Sequence, residues 1–316
     1  MTDRRPLLAI DSASLYFRAY FGIPESAAKA PDGSPVNAVR GFLDMLATLI
    51  RNRRPDRVVC ALDYDWRPAW RVELLPSYKA HRLAPAGGEI VPDTLGPQVP
   101  LILAALAAVG IPAIGADGYE ADDVLGTLAT TQPGPVEVAS GDRDLFQLID
   151  DDKPVRLLYC GRGVAKLEDC DDAAVRAKYG VPAAGFADFA ALRGDPSDGL
   201  PGVPGVGDKS AARLIDRYGS LAGILAALDD PGSGFAPGLR TRLTAARDYL
   251  AVAPTVVRVA RDVPLPAGLD LDLPTAPADP DGLLAFAQRW NLAGPCRRLV
   301  DAMADRAEPG PGEPAG

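Results

Sequence analysis

Apolar positions along the chain come in two rhythms. Short, nearly continuous runs have the length and bounds of buried strands: LLAID at 7–11, VVCALD at 58–63, IPAIG at 111–115, VEVAS at 136–140 and VRLLY at 155–159. Between them, NAVRGFLDMLATLIRN and PQVPLILAALAAVG repeat apolar residues at helical spacing, as helices that bury one face do. This alternation predicts an α/β protein with a mostly parallel twisted sheet flanked by helices. From about residue 180 the rhythm changes. PGVPGVGDKSAARLIDRYGSLAGILAAL is a Gly/Pro turn cluster followed by short helices, which predicts a core over 1–180 and a small helical subdomain over 181–270. The segment 271–304 is expected to pack back on the core, and the tail 305–316, ending AEPGPGEPAG, to be disordered.

What closes these runs points to chemistry. In an open parallel sheet, ligands bind outside the carboxyl ends of the strands. Asp11 closes the first run, Asp63 the second, and Asp142 and Asp144 follow the fourth in VASGDRDLFQLI. The third leads through GADG into YEADDVLGTLA, where Glu120, Asp122 and Asp123 fall in the first turn of a predicted helix. Glu120 and Asp123, three apart, share a helix face. Singly, each acid has a plain structural role as a cap or as a charge favoured by the helix dipole. Gathered at one sheet edge, they repel one another and raise each other's pKa values unless cations neutralise them. An all-carboxylate set points to Mg²⁺ or Mn²⁺. Two such ions roughly 3.5–4 Å apart stabilise both oxygens of a phosphoryl displacement, so phosphodiester hydrolysis is the natural chemistry.

Composition narrows the field further. The 316 residues suffice for one large α/β domain or a medium domain plus a small one. No window holds eighteen uninterrupted apolar residues, and MTDRRPLLAI lacks a signal-peptide core, so a cytoplasmic protein away from membranes is expected. Cys60, Cys160, Cys170 and Cys296 form no CxxC pair and read as free thiols in a reducing compartment. His81 is the only histidine, which argues against a His-ligated zinc site and a Ser-His-Asp triad. The net charge of −9 counts against nucleic acid. That count misstates the local field, however, if the acids surround cations. Only six of the 33 basic residues are lysines, a bias that suits phosphate recognition but equally a GC-rich genome.

Six motifs in order, LLAIDSASLYFRAYFGIP, VNAVRGF, YKAHR, GYEADDVLGTLA, SGDRDLFQLI and RGDPSDGLPGVPGVGDKSA, give the chain a specific resemblance. It resembles the bacterial 5′-nuclease or flap-endonuclease family, related to the 5′-exonuclease domain of bacterial DNA polymerase I. The likeness runs from Leu7 to about Leu225 and more weakly to about Leu299. It implies a PIN-like core with a helical arch over about 66–98 and a helix–three-turn–helix subdomain. It also implies that Asp11, Asp63, Glu120, Asp122 and Asp142 serve a first metal, that Asp144, Asp195 and Asp198 serve a second, and that Asp123 lies near both. Asp195 and Asp198 owe their place to the resemblance alone, since GDPSDG otherwise reads as a turn.

In PGVPGVGDKSAARL the glycines let the backbone approach a phosphate, and the N–H groups at the next helix start can hold it. Gly205, Val206, Gly207, Lys209 and Ser210 match the family's grip on duplex DNA, with K⁺ on the loop carbonyls. In SYKAHRLAPAGGEIVP, matching the arch, Tyr78 offers a ring for base stacking, and Lys79 and Arg82 could neutralise the scissile phosphate. Arg18 and Arg40 would contact backbone phosphates. The implied enzyme is a monomeric, nucleoid-associated 5′-3′ exonuclease and flap endonuclease using two metal ions. Its substrates would be branched, nicked or 5′-flapped DNA, including RNA-primed duplex, in replication and repair. Three features depart from the pattern: Gly199 stands where the family usually has Asn, which would loosen that turn; one extra residue lies between Asp63 and Tyr78; and Arg143 replaces a common lysine. Two other readings are a DNA-binding module that cleaves poorly and a PIN-like ribonuclease. The first would have lost acidic positions, and the second generally lacks Asp195, Asp198 and the glycine loop.

Overall fold

The computed structural model describes residues 5–85 and 87–305. Five apolar runs become strands β1 (Leu7–Asp11), β2 (Arg57–Ala61), β3 (Ala113–Ile114), β4 (Val136–Ser140) and β5 (Val155–Tyr159). A sixth, β6 (Glu168–Cys170), is a short strand that the hydrophobic pattern did not reveal. They form one sheet in the order β3-β2-β1-β4-β5-β6, parallel throughout except for the β5–β6 pair. β3 is shorter than its apolar run because it is an edge strand beginning just after Pro112, which has no N–H to give a ladder.

Side-chain alternation splits the interior into two layers. On one face Leu8, Ile10, Val58 and Cys60 pack against the helices Asn37–Arg53, Val99–Val109 and Ala293–Asp305, through Phe42, Leu46, Leu106, Leu299 and Met303. On the other, Leu7, Ala9, Val59 and Val138 meet Val124 and Leu128 of the helix Ala121–Thr131. That apolar cluster runs on through Phe186, Phe189, Leu214 and Leu250 into the helices that follow residue 185, so these share the sheet's core. The segment after residue 270 returns to the sheet: the N–H of Val58 donates to Leu271 O and that of Leu273 to Asp56 O, both at 2.9 Å. The tail expectation falls, from residue 306 on, outside the described residues.

Strand order reverses beside β1, with β2 and β3 on one side and β4 and β5 on the other. A crevice at the carboxyl ends of β1 and β4 follows from that topology. The helical arch is expected over 66–98. Within 66–98 the described residues give one six-residue helix, Ala69–Leu74, and two single turns, Ala80–Arg82 and Gly96–Gln98. Pro68, Pro76, Pro85 and Pro92 break helical hydrogen bonding, and Gly87 and Gly88 take positive φ. All four cysteines are free and buried. No helix among the described residues is long and apolar enough to cross a membrane.

Candidate active site

Acids from five parts of the chain line a cleft of about 230 Å³ at that sheet edge: Asp11, Asp63, Glu89, Glu120, Asp122 and Asp142, with Lys79 and Arg82 beside them. Asp11 ends β1 and caps the next helix, its Oδ1 accepting from Ser14 N at 3.0 Å. Its Oδ2 accepts from Ser140 Oγ at 2.5 Å, which ties β1 to the end of β4. Asp63, just past β2, accepts from Ala121 N at 2.7 Å and so fixes the start of the helix that carries Asp122. After β4 the chain turns tightly. Gly141 N donates to Ser14 Oγ at 2.7 Å, Asp142 N to Ser140 Oγ at 2.9 Å, and Asp144 N to Asp142 Oδ1 at 2.8 Å. The backbone of the GDRD turn is thus fixed by the hydroxyls of Ser14, in the helix after β1, and Ser140, at the end of β4.

A second group adjoins the first. Asp144 is buried and its Oδ1 has no hydrogen-bond partner. Asp195 and Asp198 face the same region, and their charges bear on both Asp142 and Asp144. Asp195 is held by Ser197 N at 2.9 Å and by Arg193 at 3.2 Å, and Arg143 lies 3.7 Å from it.

Three expected site residues are buried. Asp123, expected near both ions, is fully buried and is gripped by Arg71 with two bonds of 2.8 and 2.6 Å. Its remaining capacity goes to the N–H groups of Glu120 and Ala260, at 3.2 and 2.7 Å, so it closes a capping box and braces the helix start. Tyr78, expected to stack a base, has its ring 4% exposed inside the core and its hydroxyl donating to Glu120 Oε2 at 2.7 Å. Glu120 is saturated by Tyr78, Lys79 and Arg71 rather than open to a ligand. Arg71, which sequence reasoning missed, also donates to the carbonyl of Val256 at 3.0 Å and lies over the Trp70 ring. Its only signal was the unusual LDYDWRPAWR stretch, and nothing there distinguished Arg71 from Arg67.

The remaining basic positions lie on several elements. Arg18 is half-buried near Gly141, with its Nε unpartnered. Arg40 donates to Ala27 O at 3.0 Å. Lys79 bonds Glu120, and Arg82 bonds Asp198 at 3.0 Å. Farther along, Gly205 takes φ +72°, Val206 buries its side chain, and Gly207 caps the helix Asp208–Tyr218. Lys209 is exposed on that helix's first turn, beside Lys178 and Arg213, and Ser210 follows it half-buried.

Electrostatics make the cleft hungry for positive charge. Burial lifts Asp11 to about 7, with Asp63 and Asp142 adding repulsion. Burial and then Asp142 and Asp11 push Asp122 well up. Asp142 keeps an open edge, but the surrounding protein and the charge of Asp198 still raise it. Asp144 rises strongly through burial and the charges of Asp142, Asp198 and Asp195. Burial opposes the ammonium of Lys79, yet the attraction of Glu120, with Tyr78 and Asp198 beyond it, prevails and it stays charged. Among the described residues no group of three or more acidic, histidine or cysteine side chains is drawn tightly enough to cage an ion as placed. The donor set nevertheless fits a hard divalent cation: oxygen only, mutually repelling, and with the buried Asp144 Oδ1 unsatisfied.

Residues 6–180 match the family model for the 5'-3' exonuclease N-terminal resolvase-like domain, and residues 181–281 that for the 5'-3' exonuclease C-terminal SAM fold. The chain is 58% identical over 301 residues to a 5'-3' exonuclease of Streptomyces coelicolor, covering 94% of this chain and 99% of the relative. It is 52% identical to a 5'-3' exonuclease of Mycobacterium tuberculosis over 95% of this chain and 98% of that one. DNA polymerase I of Mycobacterium bovis is 39% identical over 82% of this chain but 28% of its own length. In fold, the chain resembles the bacteriophage T5 D15 flap endonuclease, solved with DNA and metal ions (TM-score 0.61, 18% identity, 95% of this chain and 99% of that one). It also resembles the catalytic core of Rad2 with DNA substrate (TM-score 0.58, 16% identity, covering 97% and 93%).

Two outcomes follow from this geometry. Replacing Arg71 by Met strands Glu120 and Asp123 and should cost about 3–5 kcal/mol. Urea unfolding measures it, and adding Asp123→Asn should recover part of the loss; a loss within error of zero contradicts the brace. A carboxyl with a raised folded pKa binds protons more tightly when folded. Its contribution is complete below the unfolded value of 3.8 and is lost as pH rises through about 7 for Asp11. With a chelator present, the melting temperature should therefore fall from about pH 5 to about pH 8. Circular dichroism melts that stay level or rise would refute it.

Proposed function

The chain belongs to the 5'-3' exonuclease family, and from that premise we propose that it is a structure-specific 5′-3′ exonuclease and 5′ flap endonuclease using two-metal-ion catalysis. The carrying observation is the meeting of two carboxylate groups at one sheet edge, with cationic side chains beside them. Asp11, Asp63, Asp122 and Asp142 would hold one divalent ion, Mg²⁺ or Mn²⁺, and Asp144, Asp195 and Asp198 a second. When bound, such ions supply a water that is nucleophilic at neutral pH and charge that stabilises the leaving 3′ oxygen. Lys79 and Arg82 bind the scissile phosphate and meet the negative charge that grows on it. Glu120 acts through Lys79, keeping the ammonium charged and aimed. Arg18, half-buried beside Gly141, would contact a backbone phosphate.

Away from the cleft, the 202–210 stretch grips duplex DNA. Its glycines allow close approach, the start of the helix Asp208–Tyr218 accepts a phosphate, and Lys209 adds charge. The carbonyls of that loop suit K⁺. Duplex held there and a 5′ end led to the acids select nicked, branched or flapped DNA, including RNA-primed duplex. That selection fits primer removal and repair by a monomer acting on the nucleoid.

Cleavage of an end-labelled flapped duplex should need Mg²⁺ or Mn²⁺, stop in EDTA and largely spare the same oligonucleotide as single strand. Tight binding without cleavage in either metal would favour a pure binding module. Asp142→Asn should lower cleavage by at least about a thousandfold while leaving duplex affinity nearly unchanged; comparable activity removes Asp142 from the metal site. Lys209→Ala should weaken duplex binding for all sequences alike and reduce the salt slope by about one. A loss confined to particular sequences would contradict the phosphate grip.

A further inference from the structure

Two turns that are distant in sequence are laced together beside the cleft. Lys79 N donates to Asp198 O at 3.0 Å, and Ser77 Oγ to Gly199 O at 2.8 Å. Arg82 Nη2 donates to Ser197 O at 2.7 Å and to Asp198 Oδ1 at 3.0 Å. Each turn is stiff by itself. Asp195 and Leu200 exchange backbone bonds of 3.0 and 2.9 Å across the first. Arg67 ties the second by donating to Tyr78 O at 2.6 Å and Pro76 O at 2.9 Å. Lys79 itself sits at φ +47°, a left-handed conformation that a lysine keeps only where its surroundings hold it.

The contact is closest at Gly199. Its φ is +73°, and a Cβ there would overlap the carbonyl oxygen of Ser77 and come within 3.3 Å of Lys79 N. Both obstacles are backbone atoms, so no side-chain rotation relieves them; the turns would have to part.

We propose that Gly199 is a positioning residue whose missing side chain lets the loop bearing Asp195 and Asp198 dock onto the turn bearing Lys79 and Arg82, so that the two move as one body. This rests on the proposed reading of those groups as metal-binding and phosphate-binding. Docking then sets the offset at which a phosphate drawn to the cations meets the second pair of acids. Misplacement of reacting groups by about 1 Å costs on the order of 10²-fold in rate.

Three variants separate the parts of this claim. Gly199→Ala brings both the clash and an unfavourable φ. Gly199→Asn tolerates the φ and isolates the clash. Ser77→Ala removes one hydroxyl bond and keeps the fold safe. Hydrogen exchange on the DNA-free protein should show faster exchange in 77–82 as well as 195–200 for both Gly199 variants, and a smaller change of the same pattern for Ser77→Ala. In flap cleavage, kcat should fall roughly 10- to 100-fold for the Gly199 variants. KM for DNA should stay within about twofold, since the duplex grip at 205–210 is untouched. Loosening confined to 195–200, or Gly199→Asn matching the wild type in exchange and kcat, overturns the proposal. If the Gly199 variants do not fold, unchanged exchange of 77–82 in Ser77→Ala overturns it. Wild-type protein that exchanges as expected yet cuts no DNA would instead refute the nuclease reading and leave the docking intact.

Discussion

Like charge crowded at the carboxyl end of a parallel sheet is the constraint on which the rest of the structure depends. Two carboxylates about 4 Å apart repel by roughly 4 kcal/mol at an effective dielectric near 20. The chain brings Asp11, Asp122, Asp142 and Asp144 together, and each rises in pKa, through burial first and mutual repulsion second. It tolerates this by treating its acids in two ways. Glu120 and Asp123 are neutralised within the protein by Arg71 and Lys79. Asp11, Asp142 and Asp144 are left to one another and to hydroxyl and backbone donors. The internal cations brace the helix that presents Asp122 while leaving the strand-end acids unneutralised, and that remainder of negative charge is what the proposed divalent ions would offset.

The strand ends were the most legible part of the sequence. LLAID, VEVAS and VRLLY become β1, β4 and β5 residue for residue, because a run buried on both faces carries no competing signal. From those ends, the placement of Asp11, Asp63, Asp122 and Asp142 around one cleft follows by topology alone. Asp144, Asp195 and Asp198 were not legible that way. They lie in turns, where an aspartate is equally at home capping its own backbone, as Asp195 does with Ser197 N.

These differences share a cause. Asp123 sits one position from Asp122 and looks equivalent in sequence, but on a helix neighbouring residues face different ways. One turned to the cleft and the other to Arg71. Tyr78 was expected to offer a ring for base stacking, yet it lies in a stretch whose charges, Lys79 and Arg82, fold inward to acids. Arg71 was invisible for the complementary reason. Its partners lie 49 and 52 residues away, and no local pattern encodes a pairing at that range.

The same long-range logic changes the meaning of Gly199. From sequence it reads as a loss, a smaller residue that would slacken the turn beside Asp198. In the fold, the turn is tied at Ser197, Asp198 and Gly199 to a second turn more than a hundred residues earlier. A glycine lowers the stability of a free turn through its backbone entropy, but here it is what permits two backbones to meet. The cationic and anionic sides of the cleft are therefore not independent loops brought together by a ligand. They are joined before it arrives, and the cost of ordering them is met in folding rather than in binding.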